Sequence, residues 1–137
     1  MATKDEVLLV VPAMPEFLRL ARVTAAGLAS RLGFSYDEVE DLRLAIDELC
    51  YGLTGEDGRP GTVEIRYRLD GDSLSIEGTL QDSSPAPSDT ALAELSELIL
   101  GALVDEHNFK SGPDGPRFRL LKRREPSASA GGHPSQP

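Results

Sequence analysis

Apolar positions change period several times along the chain, and each change predicts an element. Residues 6–11 form a short apolar run closed by Pro12, which reads as a strand. Pro15 suits the first position of a helix, where no backbone N–H is needed. Phe17, Leu20, Ala21, Thr24, Leu28 and Leu32 then recur at three- and four-residue spacing, one helical face stopped by Gly33. Ser35-Tyr36-Asp37-Glu38 is a capping box, and Phe34 before it is placed to pack on Val39. The second helix it opens carries the stripe Val39, Leu42, Ile46, Leu49 and Leu53 and ends near residues 52–55. After a turn-rich stretch at 56–61 the period drops to two. Val63, Ile65, Tyr67 and Leu69 alternate with Thr62, Glu64, Arg66 and Arg68, a half-buried strand. Asp70-Gly71-Asp72 predicts a hairpin turn, and the return strand at 73–80 puts Leu74, Ile76 and Gly78 on one parity. A loop at 81–88 leads to Ser88 or Asp89 as the cap of a third helix bearing Leu92, Leu95, Ile99 and Leu103, with Leu98 beside that stripe. Residues 104–110 and 116–122 read as a last hairpin. The order β-α-α-β-β-α-β-β, with mostly antiparallel strands, predicts an α/β two-layer sandwich with three helices on one face of the sheet.

Composition narrows the setting. The 137 residues suffice for one hydrophobic core and are short for two. Residues 126–137, rich in Pro, Ser, Ala and Gly and devoid of large apolar side chains, read as a disordered tail behind a folded domain at 1–125. The net charge of −9 argues against direct binding to nucleic acid or to an anionic membrane, and it suits a basic protein partner. The longest apolar run is too short to span a bilayer, and Asp5 and Glu6 stand where a secretory leader would be basic, so a cytoplasmic protein is expected. A single cysteine, Cys50, excludes an internal disulfide and any zinc site with two thiolates. Charge is also segregated. Residues 34–58 hold Asp37, Glu38, Glu40, Asp41, Asp47, Glu48, Glu56 and Asp57 against Arg43, whereas Lys110, Arg117, Arg119, Lys122, Arg123 and Arg124 dominate the end of the chain.

Leu44, Glu48 and Gly52 share a second face of the second helix at i, i+4, i+8. Glu48 there is either a general base or a solvated surface acid. His107 and His133 have no partner at metal-ligand spacing, Cys50 reads as a core residue, and no phosphate-binding glycine loop is present.

Val11-Pro12-Ala13-Met14-Pro15-Glu16-Phe17, Ala21-Arg22-Val23-Thr24 and the run from Gly33 through Ser35-Tyr36-Asp37-Glu38-Val39-Glu40-Asp41-Leu42-Arg43-Leu44-Ala45-Ile46-Asp47-Glu48-Leu49-Cys50 resemble the anti-sigma factor serine kinases of the GHKL (histidine-kinase-like, Bergerat-type) ATPase superfamily. The resemblance spans about residues 6–122 and is weakest between 74 and 95. It implies an anti-sigma factor that sequesters a transcription sigma factor and is released by a STAS-type anti-anti-sigma protein; the alternative is an active ATP-dependent serine kinase acting on that antagonist. Arg22 matches the family's partner-contact arginine and is expected to be exposed. Arg19, Ala26 and Glu16 complete the implied partner surface, the alternative being a surface arginine paired with Glu16 or another acid. Homodimers are common in the family.

The nucleotide motifs depart from the pattern. Glu48 matches the acid of Glu-x-x-x-Asn, but Gly52 replaces the Mg-binding Asn and has no side-chain oxygen for a hard cation. Asp82 is the remaining candidate for adenine recognition, and the glycines of that motif are replaced by Ser84 and Ala86. No glycine-rich lid lies between Asp82 and Leu98. The expectation is therefore a degenerate member with no resident metal, in which Glu48 is vestigial and ATP and Mg enter only if the kinase alternative holds, with Asp47 or a backbone carbonyl as substitute ligand.

Overall fold

The computed structural model describes residues 5–81, 94–112 and 115–126. The elements follow as β1 (Asp5–Pro12), α1 (Pro15–Arg31), α2 (Tyr36–Thr54), β2 (Thr62–Asp70), β3 (Ser73–Gln81), α3 (Glu94–Leu103), β4 (Glu106–Gly112) and β5 (Gly115–Arg123). This is the order that the hydrophobic pattern predicts. The strands form one sheet in the order β1-β2-β3-β5-β4, with every neighbouring pair antiparallel. The three helices pack on one face, giving the expected two-layer α/β sandwich.

Strand parity sets the core. Val63, Ile65, Tyr67 and Leu69 of β2 and Leu74, Ile76 and Leu80 of β3 point to the helices and are buried, as their alternation requires. Phe118 and Leu120 of β5 extend that layer. Gly78 stands directly opposite Phe118 in the β3–β5 register, and a Cβ there would collide with the ring. The Tyr67 hydroxyl donates to the Ala21 carbonyl at 2.9 Å, which ties the sheet to α1 and satisfies a buried polar group.

The second helix starts as the capping box dictates. The Glu38 N–H donates to Ser35 Oγ at 3.1 Å and the Ser35 N–H donates to Glu38 Oε1 at 2.7 Å. Leu42, Ile46, Leu49 and Leu53 are buried, joined by Ala45 and Cys50, while Val39 is partly buried at the edge of the core.

Three expectations are corrected. The buried face of α1 is Leu18, Ala21, Ala25 and Ala29, so Phe17 and Leu20 lie on the flank, 41% and 48% exposed. Small side chains let this helix approach its neighbours closely, and a pattern drawn on the largest apolar residues is rotated from the true face. In α3 only Leu100 is buried, while Leu95, Leu98 and Ile99 are exposed. Leu95, Leu98 and Ile99 do share an apolar side of the helix, but the described fold leaves that side uncovered and turns Leu100 inward. Finally, β4 begins at Glu106, because the Val104 N–H still donates to the Leu100 carbonyl at 3.1 Å and prolongs the helical pattern. Of the loop expected at 81–88, Gln81 instead ends β3, and the rest of it, the caps Ser88 and Asp89, and Leu92 lie outside the described residues.

Candidate functional site

Two faces of α2 carry the chemistry. One faces α1. There Pro15, Leu18 and Arg19 of α1 and the start of the turn to Arg22 meet Asp47, Cys50 and Tyr51 of α2 around a groove of about 300 Å³. Leu18 and Cys50 form an apolar floor, and the charged groups stand at the rim. Arg22 Nη1 donates to Asp47 Oδ2 at 2.9 Å. The Arg22 side chain is 30% exposed, so it is half-buried rather than fully exposed as the sequence led us to expect. The reason is Asp47, which draws the guanidinium down between the helices. The Arg22 Nε atom is buried and makes no hydrogen bond within the molecule. Such a group is costly unless something pairs with it. The ion pair itself is partly solvated and worth about 0–1 kcal/mol, so a competing acceptor could replace Asp47 at small cost.

Arg19 lines the same groove. Glu16 is exposed in the first turn of α1 and Ala26 is half-buried nearly three turns further on; neither lines it. Burial, aided by the nearby Asp47 charge, pushes the Cys50 thiol up to about 12, which makes it an inert part of the floor. Asp47, Cys50 and Tyr51 were not expected at a partner-binding groove, since their relation to α1 is a long-range packing fact.

The other face of α2 carries Glu48 and Gly52, and α3 lies over it. Glu48 Oε2 accepts a hydrogen bond from Ser96 Oγ at 2.5 Å. Gly52 is helical and offers no side-chain ligand beside it. The donor set at these two positions does not fit a magnesium ion: one carboxylate already holds a protein hydroxyl, and its neighbour has no oxygen beyond the backbone. Among the described residues no group of three or more His, Cys, Asp or Glu side chains could hold a metal. Asp82 and the expected position of the lid lie outside the described residues. No described helix is long and apolar enough to cross a membrane.

The sheet order, the capped second helix and the helices stacked on one face define a GHKL-like sandwich. No family model matches the sequence. Individual relatives do. Serine-protein kinase RsbW of Bacillus subtilis is 33% identical over 116 residues, covering 74% of this chain and 72% of its own. Its namesake from Bacillus velezensis is 33% identical over 126 residues, 78% of this chain and 79% of its own. The Listeria monocytogenes serotype 4a protein of the same name is 36% identical over 95 residues, 59% and 60% of the two chains. The chain belongs to the family of serine-protein kinase RsbW.

Proposed function

We propose that this protein is an anti-sigma factor that sequesters a transcription sigma factor and is released when a STAS-type anti-anti-sigma protein takes its place. The observation that carries this reading is the α1–α2 groove, where Arg22 presents a guanidinium with an unpaired Nε above an apolar floor. A partner helix or loop that inserts an apolar side chain and offers a carboxylate or carbonyl would satisfy Arg22 and displace only the weak Asp47 pair. Arg19 adds a second cation at the rim, and Glu16 and Ala26 would contact the partner only outside the groove. The site of action is the cytoplasm, where sigma factors are found.

The test is calorimetric titration with the sigma factors of the source cell. One of them forms a stable complex, and Arg22→Glu weakens it by about 2 kcal/mol or more, roughly 30-fold. Tight binding of no sigma factor, or binding untouched by Arg22→Glu, would sink the proposal.

The relatives' name, serine-protein kinase, together with Glu48, favours a second reading, in which the chain also phosphorylates a serine of the antagonist with ATP and Mg. Against it stand Gly52 in place of a magnesium ligand and the engagement of Glu48 by Ser96. Transfer of labelled phosphate to the antagonist, lost in Glu48→Ala, would establish the kinase; no transfer leaves a pure sequestering protein.

A further inference from the structure

α3 is anchored by little apolar burial. Leu100 is its only buried side chain among those described, whereas Leu95 and Leu98 are 67% and 73% exposed. A ten-residue helix is marginal on its own, so the polar contacts that hold it count for more than usual. Three do so. His107 Nε2 lies 2.8 Å from Glu97 Oε1 and joins α3 to β4. Lys122 Nζ donates to the Leu103 carbonyl at 2.7 Å and joins its C-terminus to β5. The third, Ser96 Oγ to Glu48 Oε2 at 2.5 Å, joins it to α2.

That third contact has a specific chemical form. A general base must sit within hydrogen-bond reach of the hydroxyl whose proton it takes. Glu48 has such a hydroxyl already, and it belongs to the same chain. The contact is partly buried, and a hydrogen bond to a charged acceptor is stronger than a neutral one. Gly52, one turn along α2, places no side chain that could compete for Ser96.

We propose that Ser96 is a built-in occupant of Glu48: it commits the carboxylate to docking α3 on α2 and keeps any other hydroxyl away from it while α3 stays docked. Glu48 is then a positioning residue for α3. This inference is independent of sigma-factor binding, because it concerns the α3-facing side of α2 and not the side that lines the Arg22 groove.

The test is carbodiimide labelling of the full chain in the presence of a small amine, read by peptide mass spectrometry, with the exposed Asp37 as internal reference. In the wild type Glu48 is labelled at least fivefold more slowly than Asp37. Ser96→Ala brings the two within twofold and speeds amide exchange across residues 94–103 at least fivefold, with β2 and β3 unchanged. Ser96→Thr, which keeps the hydroxyl, retains the wild-type pattern. Equal labelling of Glu48 and Asp37 in the wild type overturns the proposal without recourse to any variant. So does a Ser96→Ala protein, folded by the exchange of β2 and β3, in which neither Glu48 labelling nor α3 exchange changes.

Discussion

Both oxygens of Glu38 are engaged: Oε1 takes the Ser35 N–H at 2.7 Å and Oε2 takes the Glu125 N–H at 2.6 Å. One carboxylate thus caps α2 and pins the chain as it leaves β5. Burial raises its pKa, but the Ser35 and Glu125 N–H donors, the Ser35 hydroxyl and the Lys122 charge outweigh burial and hold it below the usual carboxylate range. A group whose folded pKa is depressed stabilises the protein fully above its unfolded value, about 4.3 for Glu. That contribution is lost as pH falls from there through the lower native value. Urea melts between pH 6 and 3 are expected to show wild-type stability declining over that window. Glu38→Gln, which has one acceptor oxygen for two donors, starts about 1–3 kcal/mol lower and declines less steeply. Parallel pH curves for the two proteins would contradict the assignment. Cys50 offers a second check at this scale. Burial and a raised pKa deny it thiolate character, so thiol reagents label it in the native protein only as fast as α2 opens, and at least 100-fold more slowly than in denaturant. Rapid labelling of the native protein would show that the groove floor is open to solvent.

Among the elements, β2, β3 and α2 were legible because their signals are local. Alternation over eight or nine residues fixes which parity of a strand is buried, and the capping box fixes the start of α2 without knowledge of the rest. The inner faces of α1 and α3 were not legible. In α1 the core is built from alanines, which weigh little in an apolar pattern. In α3 the apolar side that spacing picks out, with Leu95, Leu98 and Ile99, is the one left exposed. The candidate site divides in the same way. Arg22, Arg19 and Glu48 could be named from motif context, but Asp47 lies 25 residues from Arg22 and Ser96 lies 48 from Glu48, so both pairings exist only once helices are packed. Gly78 is a case where parity was readable and its meaning was not. It is a glycine on the buried side of β3 because Phe118 of β5 fills the space its side chain would need. Gly78→Ala should cost about 1–3 kcal/mol through displacement of the ring, measured by chemical denaturation. Pairing it with Phe118→Leu should recover part of that loss. Additive losses would mean that the ring is not what excludes the side chain.

At the scale of the whole molecule, the net charge of −9 is unevenly expressed. On the outward face of the sheet, cations are matched locally: Arg66 and Arg68 with Glu6, Arg68 and Arg119 with Glu77, and Arg123 with Glu106. Hydrogen bonds from Arg68 and Arg66 hold Glu6 below its usual pKa. On the helical side Asp47 pairs with Arg22, Glu40 with Arg43, Asp41 with Lys122 and Glu97 with His107, while Asp37 and Glu94 stand exposed. These pairs cancel charge locally, but the excess of acids over bases leaves the whole molecule a negative field. A field of this kind attracts a basic partner and raises the association rate, while the desolvated contacts in the groove set the dissociation rate. Salt separates the two contributions, because the Debye length falls from about 10 Å at 0.1 M to about 3 Å at 1 M. For the sigma factor that binds, the association rate is expected to fall about tenfold between 0.05 and 0.5 M salt, with the dissociation rate changing by less than about twofold. Asp37→Asn with Asp41→Asn should flatten that dependence and leave dissociation unchanged, whereas Arg22→Ala should accelerate dissociation at every salt concentration. Stopped-flow measurement of both rates decides the matter. A salt-insensitive association rate would place the acidic face of α2 outside the encounter, leaving the Arg22 groove to recognise its partner by short-range contacts alone.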